Sequence, residues 1–509
     1  MSDATPLSRR SFLAGATAAA VAAGAARPLS SQSWPTALSA VEAVDRMVRG
    51  ELTAERYAAE LLARCAAWSP LNAFITLDPQ RVLEDARARD KERLTGGVPG
   101  PLFGLPLPIK DSVDTAQYPT TGGTPALRHF RPSTDAPVVH ALRSAGGIVL
   151  GKTNLHELSF GWTSNNLAYG AVHNPYNLAR IPGGSSGGTA AAVAARLAPL
   201  GLAEDTEGSI RVPAAFCGIA GFRPTTGRYS TQGCIPITGV FDQVGPHARS
   251  VGDLALFDTV MTGAAAALVP MPLKGVRLGV VRDYWFKDLD PEVERVTDLA
   301  LRRLTAAGAV LVEGSMPELG RLIERTTLPV QNYDASRCLT RYLDAQATGI
   351  TLEQLVAAAS PDIQAIFRSD VLPGAPRAVS AAVYTAAINQ HLPALRRQMA
   401  AYFKAANVAA LVFPATLVPP PLIGEETQVS TSDGRHLDFE YAVARNIAPG
   451  STAGLPGLVL PAGLTAAGLP VALEFDAPSG ADRALLALGL SLEKALGPLA
   501  PPAAPATAA

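Results

Sequence analysis

Charge is scarce in this chain and almost balanced. Charged residues make up 17% of its 509 residues, and the formal net charge is −1. That excludes attraction to nucleic acid or to an anionic membrane by bulk electrostatics. Cysteine is scarce as well. Cys65, Cys217, Cys234 and Cys338 stand far apart, and no C-x-x-C pair occurs, which speaks against a cysteine zinc site. A chain this long buries a large core without a disulfide, so the four are read as buried free thiols. Histidines number seven: His129, His140, His156, His173, His247, His391 and His436. None lies in a stretch that otherwise looks like an active site, so each is read as a surface or structurally satisfied residue. Apolar residues, at 48%, give a globular composition.

The first 26 residues differ from the rest. Arg9 and Arg10, in "SRRSFL", precede an apolar run of alanine, glycine and valine. The run is short and weakly hydrophobic, a poor membrane anchor, and Ala23-Gly24-Ala25 fits an A-x-A cleavage site. These features predict a twin-arginine export signal over residues 1–26, and so a partner in the export machinery and a periplasmic or secreted location. A chance arginine pair in a tail is the bland alternative.

From Thr36 to Leu94 the pattern is helical, with three amphipathic stretches over 37–50, 53–68 and 78–94. Residues 102–115 are strand-like, apolar on both sides of Lys110, and 146–155 form a second buried strand after a helix over 136–146. From Gly151 to Gly252 the chain is rich in Gly, Pro, Ser, Thr and Asn, a loop density that usually carries a site. Residues 275–314 read as strand, helix, strand, and 316–405 as mainly helical. Buried strands return at 408–414 and 457–463, before a last helix over 481–496. The Pro- and Ala-rich residues 497–509 read as a disordered tail. Strands this far apart belong to one sheet, which predicts one large α/β domain over 36–496.

The stretch "IPGGSSGGTAAAVAARL", residues 181–197, admits three readings. A phosphate loop needs a lysine after the glycines or a strand before them, and neither is present. A nucleophile elbow fits the letters of Gly184-Ser185-Ser186-Gly187-Gly188 but also needs a preceding strand. A Ser-His-Asp set assembled at a distance stays open on the residues alone. The third reading is a serine relay. Ser209 lies 24 residues after Ser185 (209 − 185 = 24), behind the small run Asp205-Thr206-Glu207-Gly208. Such a run presents successive backbone N–H groups in one direction, as an oxyanion hole requires. Lys110, set in "LPLPIK", is desolvated, which lowers its pKa and favours the neutral amine a general base needs.

"PIKDS", "GGSSGG" and "GSIRVPAAFCGIAGFRPT", in that order and at that spacing, resemble the amidase signature family over residues 40 to 495. The stretch between the lysine and the glycine loop, with "FCGIAGFRPTTGRYS", resembles the mandelamide and indoleacetamide hydrolase branch. The resemblance implies a mixed central β-sheet surrounded by helices, and a Ser–cis-Ser–Lys triad. Ser209 corresponds to the acylated nucleophile, Ser185 after a cis bond from Gly184 to the bridging serine, Lys110 to the base, and Ser186 to a supporting serine. Backbone N–H groups of Thr206, Glu207, Gly208 and Ser209 correspond to the oxyanion hole. Ser159, Phe160 and Trp162 fall where the family lines its acyl pocket, with core packing as the plain alternative for the two aromatics. The implied function is hydrolysis of a small-molecule amide, aryl or arylalkyl, with no metal or organic cofactor. Anilide, carbamate or ester hydrolysis, or a glutaminase subunit of an amidotransferase, would use the same triad. A homodimer stays open. Many relatives carry glycine at position 207. Glu207 would narrow the site or place a carboxylate near it, or, on the plainer reading, face solvent or pair with an arginine; Arg211 is expected to pair with a nearby acid.

Overall fold

The computed structural model describes residues 35–264 and 267–504. The expected export signal over residues 1–26 lies outside them.

Eleven strands join in one sheet among the described residues. They are β1 (Phe74–Leu77), β2 (Pro106–Lys110), β3 (Ile148–Thr153), β4 (Leu200–Asp205), β5 (Ala220–Arg223), β6 (Gln243–Ala248), β7 (Arg277–Val280), β8 (Val310–Glu313), β9 (Ala410–Pro414), β10 (Gly457–Leu464) and β11 (Pro470–Asp476). The spatial order is β1-β3-β2-β4-β6-β5-β10-β11-β9-β7-β8. Strands β3, β2 and β4 run parallel, as do β9, β7 and β8; the other neighbours are antiparallel. The sheet is therefore mixed, as the family resemblance implies. Strands β2, β3 and β4 are buried at every position. Strands covered on both faces read as largely apolar runs, as β2 and β3 do up to their last residues.

Nine helices matter below: α1 (Ala40–Val48), α2 (Ala54–Ala67), α3 (Pro79–Leu94), α4 (Gly187–Ala194), α5 (Arg211–Phe216), α6 (Val251–Thr262), α7 (Pro291–Ala306), α8 (Thr327–Ala345) and α9 (Asp482–Leu496). Their starts follow local chemistry. Ser39 and Glu42 form a reciprocal capping box on α1, and Thr53 caps α2. Asp78 before Pro79 and Asp290 before Pro291 cap α3 and α7. In the main core α6 packs on β6, α9 on β10, and α7 on β10 and β11. Helices α4 and α5 are fully buried in a second apolar cluster. Helix α4 carries only Gly, Thr, Ala and Val, so its backbone lies close against β2 and β4. All four cysteines are buried and free.

One sequence expectation needs correction and another needs completing. The stretch from 36 to 94 is not helical throughout: β1 lies between α2 and α3 and pairs antiparallel with β3. It is four half-buried residues at a sheet edge, too short for a period to show. The stretch from 151 to 252 is mostly loop, as read, but it also holds β4, β5 and β6. Glycine and proline inside those strands read as breakers, yet Gly201, Gly221, Gly245 and Pro246 take ladder positions. The chain end from 497 to 504 carries no helix or strand. It is tied down at Ala500, whose carbonyl accepts from Tyr176 Oη at 2.8 Å.

Between β4, β10 and β11 the sheet buries charge. Arg211, at the start of α5, donates to Asp205 through Nε (3.1 Å) and Nη2 (3.2 Å), and to Glu474 through Nη1 (2.5 Å). Its guanidinium also meets Ser451 Oγ and the Ile447 carbonyl. Arg223 approaches Asp205 at 3.5 Å. Burial alone would raise the pKa of Asp205, but Arg211, then Arg223, outweigh it and hold this carboxylate below the usual range. Burial pushes Glu474 well up, with Asp476 adding to the rise, and burial raises Asp476 as well. Two guanidiniums thus face three buried acidic residues, Asp205, Glu474 and Asp476.

Arg211→Met would leave Asp205 ionised and without its main partner inside the protein. Removing one member of a buried ion pair destabilises by about 3–5 kcal/mol. Urea unfolding should show a loss of that size; a variant within about 1 kcal/mol of the parent would count against this account of the cluster.

Candidate active site

The carboxyl ends of the parallel strands β3, β2 and β4 lie along one edge, where open α/β sheets place their ligand sites. Lys110 is the last residue of β2 and is fully buried. Its Nζ donates to Ser185 Oγ at 2.6 Å and lies 3.0 Å from Glu204 Oε1 on β4. Burial lowers the lysine pKa; the Glu204 charge opposes that without cancelling it.

Ser185 sits in the glycine loop ahead of α4, and the Gly184–Ser185 peptide is cis. Its carbonyl accepts from His156 N (3.1 Å) and Ser164 Oγ (3.2 Å). A Cβ at Gly184 would meet the backbone at Trp162 C (2.8 Å) and Ser164 N (2.9 Å), so only glycine fits there. Ser186 joins this loop to the next strand: its N–H donates to Ser209 O (3.3 Å) and its Oγ to Glu204 O (3.0 Å). Lys110 and Ser185, 75 residues apart, thus meet at hydrogen-bond distance, and the adjoining Ser186 reaches the Ser209 backbone.

The turn that carries Ser209 is built on Asp205, the last residue of β4. Asp205 Oδ1 accepts from Gly208 N (2.8 Å) and Oδ2 from Ile210 N (3.0 Å), while Arg211 clamps the same carboxylate from behind. Gly208 holds φ at +101°, which a side chain would disfavour. Thr206 Oγ1 donates to Asp242 Oδ1 at 2.7 Å and fixes the other side of the turn. The four backbone N–H groups expected to face an oxyanion are not equivalent. That of Gly208 is engaged by Asp205, whereas those of Thr206, Glu207 and Ser209 have no partner among the described residues. Ser209 is buried, with 6% of its surface exposed.

Glu207 departs from expectation. It neither faces solvent nor pairs with Arg211. It is buried, and Oε2 accepts from Gln331 Nε2 of α8 at 2.6 Å. Burial first, and the nearby Glu440 carboxylate second, push its pKa up to about 8. Arg211 pairs instead with Asp205 and Glu474. Asp242 is pushed up to about 7 by burial, against the hydrogen bond it accepts from Thr206. His156 and His247 are both buried, and burial lowers each to about 4, so both are neutral. His247 Nε2 is hydrogen-bonded to Ile210 O (2.7 Å) and His156 Nδ1 to Thr163 Oγ1 (3.0 Å). Neither imidazole ring hydrogen-bonds to Ser185 or Ser209 among the described residues; His156 meets Ser185 only through its backbone N–H.

The three residues expected to line an acyl pocket separate. Ser159 Oγ donates to Glu204 Oε1 at 2.5 Å, beside the lysine. Trp162 is half-buried and its Nε1–H donates to the Glu207 carbonyl at 2.8 Å, against the Ser209 turn. Phe160 packs in a third core cluster, its ring 4.8 Å from that of Phe367. Sequence reasoning missed Glu204, Asp242 and Gln331. For Glu204 there was a signal, an acid at the end of the apolar run "APLGLA"; for the other two there was none.

Known proteins match this architecture. The family model described as Amidase matches residues 56–486. An indoleacetamide hydrolase of Agrobacterium vitis is 38% identical over 459 residues, 90% of this chain and 97% of that protein. A mandelamide hydrolase of Pseudomonas putida is 38% identical over 477 residues, 91% of this chain and 92% of that one. The crystal structure of a peptide amidase from Stenotrophomonas maltophilia superposes with a TM-score of 0.76 at 30% identity, covering 92% of this chain and 99% of the other. With the mixed sheet, the glycine loop and the lysine–serine contact in place, the chain belongs to the amidase family and is an amide-hydrolysing enzyme.

Proposed function

We propose that the protein hydrolyses the C–N bond of a small carboxylic amide through an acyl-enzyme on Ser209, with Ser185 as bridge and Lys110 as base. The observation that carries this reading is the buried Lys110 Nζ, 2.6 Å from Ser185 Oγ, in a loop whose next residue bonds the Ser209 backbone. Ser209 Oγ attacks the amide carbonyl carbon. Its proton passes to Ser185, and the Ser185 proton to the neutral Lys110 amine. The oxyanion is held by the free N–H groups of Thr206, Glu207 and Ser209. Collapse breaks the C–N bond, and the ammonia or amine leaves with the proton returned from Lys110 through Ser185. Water then attacks the ester carbonyl by the same relay and frees the acid and Ser209. Two neutral buried histidines that contact other groups leave the lysine as the base in reach.

The acyl group is aryl or arylalkyl in this proposal. Indoleacetamide and mandelamide, named for the two relatives, are both amides of that type. Trp162, half-buried against the Glu207 carbonyl, offers an aromatic face at the Ser209 turn. Location in the periplasm, after twin-arginine export, rests on Ser8-Arg9-Arg10-Ser11-Phe12-Leu13.

Three outcomes are expected. Ser209→Ala should lower kcat/KM by about 10⁴-fold or more, and Lys110→Met should do the same. Either variant retaining parental activity would sink the relay. The same assay should favour indole-3-acetamide or mandelamide over acetamide by about 10²-fold, and equal rates would remove the aryl preference. Replacing Arg9 and Arg10 by lysine should hold the chain in the cytoplasm of an export-competent host, read by cell fractionation; undiminished periplasmic protein would refute export by that route.

Glu207 generates a pH effect on stability. Its pKa rises from 4.5 to about 8 on folding, so the fold holds a proton that the unfolded chain releases. That contribution is complete below pH 4.5 and is lost as pH climbs through 8. Glu207→Gln has no such loss. Its Tm relative to the parent should therefore rise by a few degrees between pH 5 and pH 9, in scans of both proteins, over roughly the interval the shift spans. A constant difference would mean Glu207 does not keep its proton.

A further inference from the structure

Resting on the reading of Lys110 as the relay base, we propose that Glu204 is a positioning residue that holds the lysine against Ser185 and sets the pH at which it becomes able to take a proton. The lysine amine has two partners, Ser185 Oγ at 2.6 Å and Glu204 Oε1 at 3.0 Å. Glu204 is fixed in turn. Ser159 Oγ–H donates to the same Oε1 at 2.5 Å, and Ser186 Oγ binds the Glu204 carbonyl at 3.0 Å. One acidic residue thus ties together the lysine, the supporting serine and the segment between β3 and α4.

A carboxylate beside a general base has two opposed effects. It favours the ammonium before reaction, which delays the base to higher pH. It also stabilises the ammonium that forms when the lysine takes the proton from the serines, where no solvent reaches it. Burial pulls the lysine the other way, toward the free amine. Removing the charge should therefore free the base at lower pH and slow the reaction once it is free. A residue that merely supports the fold would not produce that pair of changes.

Other ionisable groups face this pair. Asp205 ends the same strand and stays ionised beside Arg211. His156, after β3, and His247, on β6, are neutral down to about pH 4. Cys234, after β5, is a buried thiol pushed well up. Asp242, just ahead of β6, is the competitor, because it is pushed up to about 7 and feels the Glu204 charge.

The test is the pH profile of kcat/KM for Glu204→Gln, which keeps the shape and can still accept from Ser159. The acid limb should move down by about one pH unit or more, while the plateau falls about tenfold or more. Asp242→Asn should leave an acid limb in place. An unmoved limb in Glu204→Gln, or loss of the limb in Asp242→Asn, overturns the proposal. Should Glu204→Gln not fold, Ser159→Ala carries the test. It leaves Oε1 to the lysine alone and should move the limb up; an unmoved limb, or one that moves down, is a refutation. Failure of this idea is separable from failure of the relay. Activity surviving in Ser209→Ala removes the relay, whereas an inactive Ser209→Ala with an unmoved limb in Glu204→Gln removes only the role of Glu204.

Discussion

The carboxylate of Asp205 is the constraint on which the site depends. It ends a fully buried strand, where an ionised acid is tolerated only if every lone pair is answered. Arg211 answers from α5, and the N–H groups of Gly208 and Ile210 answer from the turn. Those bonds force the chain to double back within five residues, so that Ser209 lies between a strand end and a helix start. The same bonds spend the Gly208 N–H and leave its neighbours free. An ion pair of this kind contributes little net stability, but losing half of it is expensive, and that asymmetry is what makes the turn rigid.

The lysine site is built on the neighbouring strand by a different balance. Lys110 ends β2 as Asp205 ends β4, and the two strands are parallel partners. Both groups are buried, yet one stays charged and the other, in the proposed relay, must lose its charge to act. Two arginines settle the first case. In the second a single carboxylate opposes burial, and the lysine is left with its pKa lowered. The small residues of α4 let the glycine loop come near enough for Ser185 to reach the amine.

How much of this could be read from the chain follows from the range of each interaction. Helices α1, α2, α3, α7 and α9 were legible because period and caps are local. Strands β2, β3, β9 and β10 were legible as apolar runs bounded by turn residues. Strands β4, β5 and β6 were not, because their glycines and prolines look like loop until a neighbour supplies the ladder. The same division holds in the site. Lys110 stands out as one charge in an apolar strand, and Ser185 is marked by its glycines. Ser209 stood out only by the order and spacing of three motifs. Glu207 was misjudged because its partner, Gln331, is 124 residues away on α8.

Glu204 shows what a one-dimensional reading loses and why. In the sequence it is only one acid beside another, Asp205, ahead of a small run. Its meaning comes from register: Ile109 of β2 faces Leu202 of β4, so β4 runs on past the end of β2 and brings the carboxylate to the lysine. A general base that must be neutral to accept a proton and stable once it has accepted one is served poorly by burial alone, because burial disfavours the product of its own reaction. A fixed counter-charge at 3.0 Å repairs that defect at the expense of a higher working pH. In the proposed relay the pair therefore acts as one unit, with the lysine carrying the proton and Glu204 deciding how readily it is carried.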